Sequence, residues 1–402
     1  MKALFLAPES PYPLAGGGAL RAASLLEYIA KGHDVDAVVF REPGRDDPRT
    51  KFPAALVGEV HVIDLPHHSR HGWSRVARNL GRLARNVPPL VDRFAGFDGA
   101  IERFLRGRRY DLAVVEHFWC ATYIDLIARH TNRVVLDLHN VESAWHGSHA
   151  QATQGARSLA YRRFERASLA LELALLPRFS LLLAASEEDA GRIRSRVPAA
   201  QVAVYPNSIP LVAQPGVPED DAIAFSGTLD YDPNQDAILW FRRRVWPALR
   251  ERWPGLRWRL VGRNADCVRR LISGDDRIEC TGPVNDAVTE LARAKVAVVP
   301  VRAGSGTRLK IVEAWAAARP VVSTALGAEG LPAQAGYNIL IADDPKAFAD
   351  AVSELLGSVS LRERLGGAGR AIYEQELSWV AAWTQLDQIL HSVQATAAPT
   401  AG

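Results

Sequence analysis

The sequence predicts two α/β domains, each built on an open parallel sheet, and three observations carry that expectation. Short apolar runs alternate with amphipathic stretches along nearly the whole chain, as happens when parallel strands are joined by crossover helices. A length of 402 residues exceeds one ordinary core and suits two domains with a cleft between them. The alternation lapses once, over 205–221, where Pro206, Pro210, Pro215 and Pro218 favour an extended connector.

Before the connector, strands are expected at 2–7, 34–40, 60–64, 112–116, 134–137, 181–184 and 201–204. After it they are expected at 222–226, 257–261, 277–280, 296–301, 320–323 and 338–341. Val380, Trp383, Leu386, Ile389 and Leu390 then recur at helical spacing and predict a terminal helix that needs a partner surface. The domain plan is therefore 1–205, a linker at 206–221, a second domain at 222–377, a terminal helix at 378–394 and a disordered tail at 395–402.

Composition narrows the function classes. With 48% hydrophobic and 23% charged residues the chain is neither disordered nor fibrous. The opening Met1 to Pro8 is too short in apolar residues for a signal-peptide core and reads as a first buried strand. The most apolar stretch, 169–185, is broken by Glu172, Pro177 and Arg178 and falls short of the roughly 20-residue run a membrane span requires. A cytoplasmic protein is expected. Cys120, Cys267 and Cys280 have no metal-ligand spacing and are expected to be reduced packing residues. The formal charge of +3 is unevenly spread, since ten arginines face three acidic residues between Ser69 and Arg109. Within that region Arg75, Arg78, Arg82 and Arg85 fall along one helix face, with Val76, Leu80 and Leu83 towards another. Such a helix suits anionic lipid head groups or a pyrophosphate-linked lipid acceptor, or is simply a solvated arginine-rich face.

In open α/β sheets ligands bind beyond the carboxyl ends of the strands, so the turns that follow strands are where chemistry is sought. The segment Val298 to Ala314 reads as strand, glycine turn and helix start. Gly304 and Gly306 permit close backbone approach, and Ser305 and Thr307 lie between and after them, so the free N–H groups of the helix start make an anion site suited to a diphosphate. Arg308 and Lys310 add cations where a helix dipole disfavours them, a penalty an anion would offset. Lys310 and Glu313 share a helix face, and Glu313 can accept hydrogen bonds from ribose hydroxyls. The plain alternative is a capped helix carrying an exposed Lys310–Glu313 ion pair of little energetic worth.

This segment, Gly304-Ser305-Gly306-Thr307-Arg308-Leu309-Lys310-Ile311-Val312-Glu313-Ala314, closely resembles the donor-site motif of family 4, or group 1, glycosyltransferases. Phe225-Ser226-Gly227-Thr228, Val261-Gly262-Arg263, Thr281-Gly282-Pro283-Val284 and Gly327-Ala328-Glu329-Gly330-Leu331 match further motifs in the family's order. The resemblance is strong over 222–345 and weaker in the first half. It implies the GT-B fold, two Rossmann-like domains facing each other across a cleft, with acceptor side first, nucleotide-sugar side second, and the terminal helix returning to the first domain. It also implies a retaining, metal-independent transfer of a hexosyl or related sugar from a UDP, GDP or similar donor, in polysaccharide biosynthesis or a related role. The acceptor would be a glycan, a lipid-linked or a small molecule; no cofactor, metal or nucleic acid is implied, and it is the arginine-rich helix face, not the resemblance, that would allow peripheral contact at the inner face of an anionic membrane.

By the same resemblance Glu313 contacts the donor ribose, while Arg308 and Lys310 face the diphosphate and help it depart. Gly227 also lies on the donor side. Two departures bear on this. Ser305 stands where many members have a second glutamate, and Thr228 and Asn234 stand where many have an arginine and a lysine. More of the phosphate charge then falls to Arg308 and Lys310.

In the first half, Gly16-Gly17-Gly18-Ala19-Leu20-Arg21 follows the first strand but has Arg21 at the third glycine of a dinucleotide fingerprint, which argues against a dehydrogenase. It is a tight strand-to-helix turn, or, by resemblance, the loop in which Gly17 and Gly18 lie under the donor diphosphate. His117 and His139 each follow a strand and are expected at the cleft; a family histidine at about the place of His117 has an active-site role. His139 and Glu142 are expected on the acceptor side. No Asp-x-Asp pair closes a strand, as a Mg²⁺-diphosphate would need. A nucleotide-sugar epimerase or hydrolase, or a non-catalytic nucleotide-binding partner subunit, remains as an alternative use of the same scaffold.

Overall fold

The computed structural model describes residues 1–397 other than 15, 70, 285 and 304–307, with side chains described to residue 390. The chain divides into two compact units, one ending at Pro206 and one beginning at Asn207. The donor-motif residues Gly304, Ser305, Gly306 and Thr307 thus lie outside the described residues.

In the first unit seven parallel strands run β1 (Lys2–Ala7), β2 (Asp34–Arg41), β3 (Glu59–Asp64), β4 (Leu112–Glu116), β5 (Val134–Leu138), β6 (Leu181–Ala184) and β7 (Val202–Val204). Their order across the sheet is β3-β2-β1-β4-β5-β6-β7. Every residue of β4, β5 and β6 is buried, which is why these strands read as unbroken apolar runs: a parallel sheet is covered on both faces. Leu25, Leu26 and Ile29 of the helix Gly17–Ala30 are buried, and the turn into that helix passes through Gly16 at φ 108, a conformation that favours glycine.

The second unit repeats the plan with β8 (Ala222–Ser226), β9 (Arg257–Val261), β10 (Ile278–Gly282), β11 (Val296–Val299), β12 (Val321–Ser323) and β13 (Leu340–Ile341). These lie in the order β10-β9-β8-β11-β12-β13, all parallel. Two strands are shorter by two residues than the apolar runs suggest. β11 stops at Val299 because Pro300 has no N–H to give the ladder. β13 loses Asn338, whose side chain donates to Pro332 O at 2.9 Å and accepts from Gln334 N at 2.8 Å. The architecture is therefore two Rossmann-like α/β domains, as the sequence predicts.

Three local expectations change. Cys267 is exposed, so it is not a packing residue. The helix Trp379–Ala397 takes in the first residues of the stretch expected as a disordered tail; it is anchored by Trp379, whose indole N–H donates to Ser208 O at 3.2 Å.

The arginine-rich helix Gly72–Arg85 keeps Arg75 and Arg85 exposed but buries Arg82 and turns apolar side chains to solvent as well. Arg82 is buried and its Nε donates to Asp92 at 2.8 Å, while Arg85 Nη2 sits 2.8 Å from the other Asp92 oxygen. The apolar side chains face outward, with Trp73 88% and Leu80 61% exposed. Asp92, on the next helix Pro89–Phe94, draws Arg82 inward and holds the exposed Arg85 at its other oxygen, and the apolar stripe stays uncovered. Among the described residues no helix is long and apolar enough to cross a membrane.

Candidate active site

In the second unit the strand order reverses at β8, so ligands belong beyond the carboxyl ends of β8 and β11. The turn after β8 begins at Gly227, at φ 147, and a Cβ added to Gly262 after β9 would lie 1.9 Å from the Gly227 carbonyl oxygen. Only glycine at 262 lets these two backbones meet. Beyond β11 the chain enters the helix Leu309–Ala316 directly after Arg308.

Lys310 points from that helix to the β8 end. Its Nζ donates to Asn234 Oδ1 at 2.6 Å and stands 4.2 Å from the centre of the Phe225 ring. It is also 3.3 Å from where a Cβ on Gly227 would be, so Gly227 is needed as much for room as for its backbone angle. Glu313 Oε2 accepts from Ser226 Oγ at 2.8 Å. Both side chains are half-buried and each is hydrogen-bonded to a residue at or after β8, which replaces the exposed Lys310–Glu313 pair with two fixed, separately held groups.

Electrostatics follow from that burial. Desolvation, aided by the Arg308 guanidinium and opposed by Glu313, lowers the Lys310 pKa to about 7. Burial lowers Arg308 as well and raises Glu313, against the Ser226 hydrogen bond. An anion brought beside these cations would offset the penalty of their burial. Sequence reasoning missed Asn234: it noted a missing lysine there, whereas Asn234 donates its own Nδ2 to Thr228 O at 2.8 Å and so fixes the oxygen that aims Lys310. The sign was a polar residue in the first turn of the helix Asp232–Arg244.

In the first unit the reversal lies at β1 and β4, and the corresponding turns bring together the glycine loop and the strand-end histidines. Gly18 lies where an added Cβ would be 3.6 Å from His139 Nδ1, while Gly17 is exposed at the start of its helix. His117, at φ 63, stacks on Trp119 at 4.1 Å and on His139 at 3.6 Å. His139 Nε2 is 2.8 Å from Glu116 Oε2 and 3.3 Å from Asp137 Oδ2. Arg21, also missed from sequence and only 2% exposed, grips Asp137 with Nε at 2.7 Å and Nη2 at 2.5 Å and gives Nη1 to Tyr205 O at 2.5 Å.

Burial and the neighbouring Asp137 raise the Glu116 pKa, whereas Arg21 and His139 hold Asp137 below the usual carboxylate range despite its burial. His139 is raised because its two carboxylate partners outweigh burial, and His117 is pushed well down by burial and by His139 beneath it. His117 is thus the neutral imidazole of the pair. Ligand atoms of Glu116, Asp137 and His139 come within 4.8 Å of one another, close enough to hold a cation, but Arg21 and His139 already supply positive charge to both carboxylates.

Glu142 opens the helix Glu142–Ala152, where its Oε2 accepts from Trp119 Nε1 at 3.1 Å; burial pushes its pKa up to about 7 against that bond. It therefore joins the stack through Trp119. Four residues on, His146 is buried beside it.

Two family models match the chain in succession: one described as a glycosyl transferase 4-like domain over residues 16–208, the other as glycosyl transferases group 1 over residues 220–358. The chain is a group 1 glycosyltransferase. Among curated proteins this glycosyltransferase is 20% identical over 362 residues to an uncharacterized 44.6 kDa protein in the cps region of Klebsiella pneumoniae, covering 87% of this chain and 89% of the relative. Among solved structures it is similar to sucrose-phosphate synthase from Thermosynechococcus elongatus, with a TM-score of 0.72, 19% identity, and coverage of 99% of this chain and 100% of that one. It is also similar to Anabaena HepE in complex with UDP-glucose, with a TM-score of 0.67, 17% identity, and coverage of 98% and 100%. At such identities these likenesses establish the fold of the glycosyltransferase and nothing finer.

Proposed function

We propose that this glycosyltransferase is a retaining, metal-independent enzyme that moves a hexosyl or related sugar from a nucleotide diphosphate donor, with Lys310, Arg308 and Glu313 holding the donor. The observation that carries the reading is Lys310, a lysine lowered to about 7 and aimed by Asn234 across Gly227 at the end of β8. The similar Anabaena structure holds UDP-glucose, which supports a nucleoside diphosphate sugar as the donor class. The relative in a cps region is consistent with polysaccharide assembly.

In this reading Glu313, fixed by Ser226, accepts from the ribose hydroxyls, and Lys310 and Arg308 face the diphosphate together with the helix N–H groups. The bond from sugar C1 to the diphosphate oxygen breaks and its electron pair goes to that oxygen. The acceptor oxygen forms the new bond to C1 from the face the diphosphate leaves, and its proton passes to the leaving phosphate. The protein's part is preorganised positive charge at the leaving group, where Lys310 becomes fully charged as phosphate negative charge grows. Neutral His117, held on His139, offers a hydrogen bond to a hydroxyl of the sugar or acceptor, while the Arg21–Asp137–His139–Glu116 network keeps it in place.

Transfer assays with a panel of nucleotide sugars test this. Product with the donor's anomeric configuration by NMR, at a rate unchanged by EDTA, is the expected outcome. Inverted product, or loss in EDTA restored by Mg²⁺, refutes the retaining or the metal-independent part respectively. Consumption of donor with no acceptor dependence would identify an epimerase or hydrolase instead.

A further inference from the structure

We infer that the first domain takes an amphiphilic acceptor, a glycosyl phosphate or diphosphate on a hydrocarbon chain, with its sugar head in the cavity floored by Glu142 and His146, its phosphate between Arg75 and Arg157, and its chain along Trp73 and Leu80. This rests on the transferase reading and names the acceptor class.

A cavity of about 640 Å³ lies among the helices Gly72–Arg85, Pro89–Phe94, Glu142–Ala152 and Gly155–Leu175, a size that suits a small-molecule site. Its walls include Trp145, Tyr161 and Phe164, flat apolar faces of the kind that pack against a sugar ring. At its floor His146 is 2% exposed, and neither ring nitrogen has a hydrogen-bond partner, Glu142 Oε1 standing 3.6 Å from Nε2, beyond hydrogen-bond reach. Buried polar atoms are rarely left so, since each forfeits its hydrogen bonds to water. Burial lowers His146 to about 4, so the ring is neutral near pH 7 and offers one donor and one acceptor. A hydroxyl, which also donates and accepts, satisfies it. Glu142 beside it accepts from Trp119, and Trp119 stacks on His117, so direct contacts join this floor to the strand-end residues.

Two exposed arginines, Arg75 and Arg157, line the same cavity, and the helix bearing Arg75 has no acidic residue. They suit an anion on the head group. Val76 lines the cavity too, and it shares its helix face with Trp73 and Leu80, the outward apolar stripe. A helix with tryptophan and leucine on one side and arginines on the other is the form that meets lipid chains below anionic head groups. A free sugar uses only the floor and inorganic phosphate only the arginines; a lipid-borne sugar phosphate engages the floor, the arginines and the stripe at once.

The test is calorimetric binding of dodecyl glucosyl phosphate, below its micelle concentration, to the full chain without nucleotide. Binding at least tenfold tighter than glucose 1-phosphate and than dodecyl glucoside is expected. The double variants Arg75→Gln/Arg157→Gln and Trp73→Ser/Leu80→Ser, all at exposed positions, should each weaken it about tenfold with melting temperature unchanged. Ala160→Trp, which fills the cavity, should do the same. The inference is overturned if the probe binds no tighter than glucose 1-phosphate, or if the paired variants bind it as the wild type does. UDP or GDP binding is measured separately: nucleotide binding without probe binding overturns the acceptor assignment alone, whereas probe binding without nucleotide binding keeps the site and removes the transferase reading.

Discussion

Lys310→Ala is expected to lower kcat by about 10²- to 10³-fold, the loss typical when a preorganised charge at a developing anion is removed, while the fold stays intact. Both halves of that expectation come from where Lys310 sits. Its ammonium is held by Asn234 Oδ1 at 2.6 Å, over the Phe225 ring, in surroundings that lower its pKa to about 7. An unliganded enzyme therefore gains little from this charge, and truncation to alanine leaves behind the amide oxygen of buried Asn234, whose Nδ2 stays bonded to Thr228 O, and Glu313, which Ser226 still holds. In the proposed transition state the same position faces the leaving diphosphate, where a point charge in a desolvated setting counts most. Steady-state kinetics with the preferred donor, alongside thermal melting, read the two effects separately. Near-wild-type turnover, or a collapse in melting temperature equal to the loss in activity, would contradict the role.

The largest stability effect is expected at Arg21. Replacing it with methionine leaves Asp137, which is wholly buried, without its bidentate partner. A broken buried pair costs about 3–5 kcal/mol, because the surviving charge keeps its desolvation penalty and loses its compensation. Arg21 also ties β5, through Asp137, to the Tyr205 carbonyl after β7, so both the charge and the sheet's edge are affected. Urea denaturation of Arg21→Met should show that loss, and Arg21→Met combined with Asp137→Asn should recover part of it. Recovery stays incomplete since Asp137 also faces His139 Nε2 at 3.3 Å. A single variant within about 1 kcal/mol of wild type would mean that the pair is replaceable by packing, as some buried pairs are.

Much of this molecule is legible in the sequence because parallel strands are buried on both sides and so stand out as apolar runs. β4, β5 and β6 are of that kind, and the glycine turn after β1 marks one of the places where a strand hands over to a helix. Boundaries slip where a single group changes the hydrogen bonding, as Pro300 does for β11 and Asn338 for β13. Partners distant along the chain are not legible at all. Arg21 and Asp137 are 116 positions apart, Asn234 and Lys310 are 76 apart, and nothing in local spacing links them. His146 reads as one histidine among eleven until folding buries it with neither ring nitrogen hydrogen-bonded. Helical periodicity locates the two faces of Gly72–Arg85 but not which is covered. That is settled by Asp92 on the next helix, which draws Arg82 inward.

The central claim is that Lys310 receives a nucleoside diphosphate. Calorimetric titration with UDP and with GDP at pH 8, in buffers of different ionisation enthalpy, tests it most directly. A lysine lowered to about 7 is mostly neutral at that pH, and a diphosphate bound beside it raises its pKa, so binding should take up close to one proton. Lys310→Gln should bind the same nucleotide more weakly and take up none. Binding by the wild type with no proton uptake, or uptake that persists in the variant, would contradict the account.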